Sequence, residues 1–232
     1  MLILAVESSA KPVSVAVYDG SLQPGKLLGQ YFQNNGFSHS RTLLSLAEAL
    51  LDNLDIKPAD LDLVAVSSGP GSFTGVRIGV SAVKGLAWGL DIPVCGVSTL
   101  EAMAYQIPVD SGHIISAVMD ARRDQVYNAL FEWRDSDLHR LCDDRAVSLE
   151  DLATELQSYD KPCLLIGDGA SLCKEQDSFS DCKIAPELQM YQTAYGVALA
   201  ALKGKHISAV DLEPFYLRPS QAERERKARS KQ

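Results

Sequence analysis

Apolar and polar positions follow two alternating periods along this chain. Residues 2–6 (LILAV) and 14–18 (SVAVY) are short runs rich in β-branched and apolar residues, separated by a polar turn, and they predict two paired strands. A third strand is predicted at 27–32. From 40 to 54 the period lengthens to that of a helix, with His39-Ser40 as a capping start and Asp55 to Pro58 as the break. A buried strand at 63–66 leads through a glycine turn into a long helix, 73–90, and then a strand at 93–97 and a short helix at 101–106. The pattern restarts at His113. Runs 114–119 and 126–133 predict a hairpin around the charged turn Asp120 to Asp124. An amphipathic helix (149–159), a buried strand (163–166) ending in Gly167-Asp168-Gly169, and a last helix (193–203) complete the chain's regular elements.

The order strand–strand–strand–helix–strand–helix thus occurs twice, with the second copy degraded. Strands alternating with helices specify an α/β fold. A doubled unit of this kind points to the duplicated actin-like ATPase and sugar kinase architecture. The expected division is a first subdomain over residues 1–106, a second over 107–218, and a charged tail over 219–232.

The segment Ser67-Ser68-Gly69-Pro70-Gly71-Ser72-Phe73-Thr74-Gly75 joins a strand to a helix N-terminus, where unpaired backbone N–H groups favour anions. No Lys-Ser or Lys-Thr follows, so it is not a Walker A loop, and the glycine spacing is not the dinucleotide fingerprint. Gly69 and Gly71 suit turn positions with positive φ. Gly75 and Gly79 lie four apart on one helix face, near Ala82 and Leu86 in projection, with Gly85 and Gly89 flanking that side. So small a face admits either a closely packed backbone or, at its first turn, a phosphate.

Composition narrows the class. With 232 residues, 46% hydrophobic and 22% charged, the chain has the make-up of a globular protein with a substantial core. No apolar run approaches the ~18 residues of a membrane span, and no basic segment precedes the first strand as in a signal peptide. A cytoplasmic protein without membrane contact is expected. Net charge is −8; the tail carries Arg224, Arg226, Lys227, Arg229 and Lys231 against Glu223 and Glu225, or +3, which leaves −11 for the rest. An acidic body argues against gripping nucleic acid as the main task, although the tail is either a solvated end or a contact for RNA or a partner. The five cysteines, Cys95, Cys142, Cys163, Cys173 and Cys182, form no C-x-x-C pair, so neither a disulfide framework nor a zinc knuckle is expected.

Read with its flanks, LDLVAVSSGPGSFTGVRIGVSAVKGLAWGLDIPVCGVSTLEAMA resembles the bacterial TsaB family, also called YeaZ, which serves in making threonylcarbamoyladenosine on tRNA. The resemblance runs nearly end to end, through ILAVESSAKPVSVAVYDG, HSRTLLSLAEALL, MDARRDQVYNALF and EPFYLR. It implies the same actin-like fold. It also implies partnership with a TsaD-type transferase, with a TsaE-type P-loop ATPase, and with a second copy of the chain as a homodimer; tRNA is met only indirectly. The helices at 40–54 and 73–90 are implied to form the pairing surface. The contact residues expected there are Leu43, Leu44, Ala47, Leu50 and Leu51 on the first helix and Gly75, Ile78, Gly79, Ala82 and Leu86 on the second. The alternative is that both helices are buried within the subunit.

Candidate chemistry is sparse. Actin-like ATPases place an acidic residue at the first hairpin turn; here Glu7, Ser8 and Ser9 occupy it, with Lys11 close behind. With Gly69, Gly71, Gly167, Asp168 and Gly169 they form a possible nucleotide or anion site, and each also reads as ordinary turn chemistry. TsaD-type proteins carry two histidines four apart, which face one way and share a metal. Thr99 and Met103 stand at the matching place, with Glu101 between them, and the four histidines, His39, His113, His139 and His206, are far apart. There is no H-E-x-x-H and no G-x-S-x-G. No catalytic residue and no metal ligand is therefore expected, and ATP or ADP is expected, if at all, at a partner interface. The expected function is a non-catalytic scaffold for the transferase. The rivals are a small nucleotide-binding ATPase or kinase built on Glu7 and Gly167-Asp168-Gly169, and a tRNA-binding module. Arg77, Lys84 and Trp88 form a basic-aromatic strip on the long helix, and Asp120, Arg122 and Arg123 a charged turn; each is a partner grip or a solvated face.

Overall fold

The computed structural model describes residues 1–36, 39–108 and 112–218. The charged tail at 219–232 lies outside the described residues; His39 and Ser40, expected as the capping start, are the first two residues of the first helix.

The first sheet is built from β1 (Leu2–Glu7), β2 (Val13–Asp19), β3 (Lys26–Gln33), β4 (Leu63–Gly69) and β5 (Val94–Ser98), in the order β3-β2-β1-β4-β5. β1, β2 and β3 pair antiparallel; β4 and β5 run parallel to β1. Alternation along β1 sends Leu4 and Val6 to one face and Ile3 and Ala5 to the other. Two helices, α1 (His39–Asn53) and α2 (Phe73–Leu90), close the first face. Leu43, Ala47, Leu50 and Leu51 of α1 and Val76, Val80, Val83 and Ala87 of α2 fill that core. The Ser72 hydroxyl caps α2 by accepting from the Gly75 N–H at 3.3 Å.

The second sheet repeats the plan. It consists of β6 (Ile114–Asp120), β7 (Gln125–Arg134), β8 (Asp137–Arg140), β10 (Cys163–Ile166) and β11 (Lys183–Ile184), ordered β8-β7-β6-β10-β11, with β9 (Arg145–Ser148) also on β7. β6–β7 and β7–β8 are antiparallel; β6–β10 and β10–β11 are parallel. Strand for strand this is the sense and order of the first sheet, so the architecture is a duplicated α/β fold of the actin-like type. α4 (Leu149–Gln157) and α5 (Ala170–Lys174) cover one face. α6 (Glu187–Met190) follows β11.

Two helices tie the halves together. α3 (Thr99–Tyr105) leaves the first sheet and packs on β6 and β7. α7 (Ala194–Ala201), which follows the whole second sheet in sequence, packs on β1 and β2 of the first. Residues 194–201 thus close the second face of the first sheet, where Val197, Ala198 and Ala201 meet Ile3, Ala5 and Leu63. Of the four cysteines outside β5, Cys163 and Cys173 are buried and Cys142 and Cys182 half-buried, all as free thiols. No described helix is long and apolar enough to cross a membrane.

Candidate functional site

Between the sheets lies a cleft of about 550 Å³. The first half contributes Ser9 and Lys11 from the β1–β2 turn, His39 from the start of α1, and Gly71, Ser72 and Phe73. The second half contributes Asp120, Arg122, Tyr127 and Asp168. Its third wall is a strap, residues 215–218, that crosses from one half to the other. The Phe215 N–H donates to the Ser68 carbonyl at 2.7 Å. Tyr216 stacks near Phe73, with centroids 4.8 Å apart. The Arg77 guanidinium lies 3.9 Å from the Phe73 ring centre and donates to the Tyr216 hydroxyl at 2.9 Å. Arg218 reaches the far side, donating to the Ala121 carbonyl at 3.0 Å and to Gln125.

Glu7 does not face this cleft. It is fully buried at the end of β1. Its carboxylate accepts the Ser9 N–H and hydroxyl, each at 2.6 Å, and the Ser67 hydroxyl. Burial pushes its pKa up, opposed by the Ser67 and Ser9 hydrogen bonds. Its work is to lock the β1–β2 turn against β4. His39 holds the same turn from outside, with Nε2 2.8 Å from the Ala10 carbonyl and 3.2 Å from that of Pro12. Ser8 is buried as well, its hydroxyl donating to the Gly75 carbonyl at 2.9 Å.

The glycines decide between packing and phosphate. A Cβ on Gly75 would lie 2.2 Å from the Ser8 carbonyl oxygen, and one on Gly79 would lie 2.4 Å from Ser8 Oγ. On Gly71 it would meet the Ser9 carbonyl oxygen at 2.4 Å, where the Ser72 N–H already donates at 2.6 Å. Gly69, at φ +128°, abuts Phe215, and Gly167, at φ +109°, abuts Val118. Gly169 is buried against Met119. Protein backbone or side chain therefore occupies the space beside each, so Glu7, Ser8, Gly69, Gly167 and Gly169 form the structure behind the cleft and do not line it. Ser9, Gly71 and Asp168 do line it. Burial raises the Asp168 pKa, partly offset by Gln192, which donates to it at 2.8 Å. Arg122 is held by Asp120 at 3.2 Å across the charged turn.

The expected pairing surface divides in the same way. Leu43, Ala47, Leu50 and Leu51 are buried in the chain's own core, and Gly75 and Gly79 against Ser8, so these six offer no surface to a partner. Leu44 is 56% exposed, and Leu46, Ile78, Ala82 and Leu86 are half-buried; these remain available. On the basic-aromatic strip, Lys84 donates to the Val210 and Leu212 carbonyls at 2.8 Å each, while Trp88 stands exposed beside Val210. Gly85 and Gly89 have open space around them. Thr99 and Met103, at the place of the histidine pair, are buried, and Glu101 pairs with Arg140 at 3.0 Å. Among the described residues no three His, Cys, Asp or Glu side chains gather closely enough to hold a metal ion. Sequence reasoning assigned no role to the strap; two adjacent aromatics, Phe215 and Tyr216, with Arg218 two residues on, were its one signal.

Comparison with known proteins completes the picture. A family model described as "TsaD: tRNA N6-adenosine threonylcarbamoyltransferase" matches residues 35–213. The chain is 37% identical over 175 residues to "tRNA threonylcarbamoyladenosine biosynthesis protein TsaB" of Bacillus subtilis, covering 75% of this chain and 74% of that protein. It is 28% identical to the TsaB of Escherichia coli over 225 residues, 94% of this chain and 95% of that one. The solved structure of YeaZ from Pseudomonas aeruginosa superposes with a TM-score of 0.78 at 26% identity, over 93% of this chain and 99% of that chain. Sequence along most of its length and fold along nearly all of it agree: the chain belongs to this family, on the branch whose curated members are named TsaB.

Proposed function

We propose that this chain is a non-catalytic partner of a TsaD-type transferase in forming threonylcarbamoyladenosine beside the tRNA anticodon. Family membership along most of the chain carries the reading. Two features of the site support it. The position that bears the histidine pair in TsaD-type proteins is filled here by the packed side chains of Thr99 and Met103. The carboxylate at the first hairpin turn, Glu7, holds the backbone from within the core.

The pairing surface is the outer face of α1 and α2, centred on Leu44 with Leu46, Ile78, Ala82 and Leu86. It serves a second copy of the chain in isolation and the transferase in the working complex, with a TsaE-type ATPase acting on the assembly. tRNA meets the complex mainly through the other subunits, in the cytoplasm. Any nucleotide, ATP or ADP, is held at a shared interface and not by this chain alone.

The test is threonylcarbamoyl transfer to tRNA in a purified system containing TsaD-type and TsaE-type proteins and the threonylcarbamoyl adenylate donor. Product should require this chain, and Leu44→Glu should abolish both pairing and product. Equal transfer without the chain overturns the reading, and transfer by this chain alone overturns its non-catalytic part.

A further inference from the structure

One pair of side chains far from the cleft has chemistry that the scaffold reading does not use. β10 and β11 are parallel neighbours with Leu164 beside Lys183, so the residues one step earlier, Cys163 and Cys182, stand side by side at the edge of the second sheet. In-register residues of parallel neighbours share a face of the sheet, so the two side chains point the same way. Parallel neighbours have a Cα spacing of about 4.8 Å, inside the roughly 4.4–6.8 Å range that disulfides accept. The Cys182 N–H donates to the Phe179 carbonyl at 3.0 Å, outside the strand ladder.

The two sulfurs have unlike surroundings. Cys163 is buried at the start of its strand, among Leu149, Leu152 and Phe179. Cys182 is half-buried, and the Lys174 ammonium is anchored over its turn by the carbonyls of Phe179, Ser180 and Cys182 at 3.0–3.1 Å. The neighbouring Cys163 thiol and the Lys174 charge draw the Cys182 thiol down despite partial burial. The Cys182 contact and burial push Cys163 up, and burial pushes Cys95 to about 11 and Cys173 to about 12. A partly exposed cysteine with a cation anchored over its turn, beside a buried cysteine, is the arrangement of an attacking and a resolving cysteine.

We propose that Cys163 and Cys182 are a peroxide-reactive thiol pair that closes to an intrachain disulfide. The Cys182 thiolate attacks one oxygen of hydrogen peroxide. The O–O bond breaks, the sulfur is oxidised to a sulfenic acid, and the departing hydroxide takes a proton to become water. The Cys163 sulfur, losing its proton, then attacks the Cys182 sulfur. The S–O bond breaks and a second water leaves. Two thiols and one peroxide become one disulfide and two waters. The bond fastens β11 to β10 at the sheet's edge.

The experiment is a hydrogen peroxide titration of the full-length reduced protein, read by thiol counting under denaturing conditions and by peptide mapping. The count should fall from the five thiols of the chain to three. The mapped product should be a cross-link of the Cys163 and Cys182 peptides, lighter by two hydrogens and reversed by dithiothreitol. Cys182→Ser should keep all four of its thiols at the same dose, whereas Cys173→Ser should still lose two. Cys182 driven to sulfinic acid with Cys163 free, pairing through Cys173 instead, or an unchanged count overturns the proposal. Mapping of the unsubstituted protein decides this even if a variant fails to fold.

Discussion

A Cβ on Gly69 would lie 2.1 Å from the carbonyl oxygen of Phe215. The last residue of β4 and the strap thus meet backbone to backbone, at φ +128°, where L side chains rarely sit. Gly69→Ala combines an unfavourable dihedral with a clash that no rotamer relieves. It should cost roughly 2–4 kcal/mol, read as a lower urea midpoint with an unchanged slope.

Ser8 separates two other glycines. At Gly79 the obstacle is the Ser8 hydroxyl, which can be removed; at Gly75 it is the Ser8 carbonyl, which cannot. Gly79→Ala should cost about 1–3 kcal/mol, and the double variant Ser8→Ala/Gly79→Ala should be more stable than the sum of the singles predicts. Gly75→Ala should gain no such relief. Denaturant curves for the four proteins of each cycle check this.

Leu43 and Leu44 are neighbours with opposite fates, 1% and 56% exposed. Leu43→Glu places a charge in the core beneath α1 and should cost several kcal/mol or unfold the chain. Leu44→Glu should change stability by no more than about 0.5 kcal/mol while shifting the chain from dimer to monomer in light scattering. Equal dimerisation by Leu44→Glu and the unsubstituted chain moves the pairing surface elsewhere.

Glu7 sets a pH dependence. Burial raises its pKa in the fold above the ordinary carboxylate value, so the folded chain binds this proton more tightly than the unfolded chain does. Stability from this group is fully present below the ordinary carboxylate pKa and is lost as pH rises through the raised value. Asp168, also raised by burial, adds a slope of the same sign. Glu7→Gln should flatten the decline that sets in above the ordinary carboxylate pKa, leaving the Asp168 share. An unaltered slope in that variant places the proton elsewhere.

Much of this fold could be read from pattern. The run before Gly69 is apolar because β4 is covered on both faces, and the bounds of α2, Phe73–Leu90, follow from an unbroken helical period between a Ser72 cap and Pro93. β8, β9 and β11 were missed. β8 reads DLHR and lies half-exposed at an edge, and β11 has two residues, so neither carries a period long enough to detect. The interface residues on α1 divided wrongly for a related reason. A helix with apolar residues on more than one stripe shows that something is buried, but only the position of β2 determines that Leu43 goes inward and Leu44 outward. For Glu7 the sequence leaves a nucleotide site and a strand-end carboxylate satisfied by its neighbours both open; only the fold brings Ser67 of β4 beside Ser9 to fill its oxygens.

The placement of α7 has a consequence for how the protein comes into being. One face of the first sheet waits for a helix encoded at 194–201. During synthesis from the N-terminus, Ile3, Ala5, Leu63 and Ala65 lack their α7 cover until the whole second sheet has been made. The first five strands are therefore a nascent-chain hazard and not an early foldon. A fragment ending before α7 should be sticky and bind chaperones, however complete its strands look.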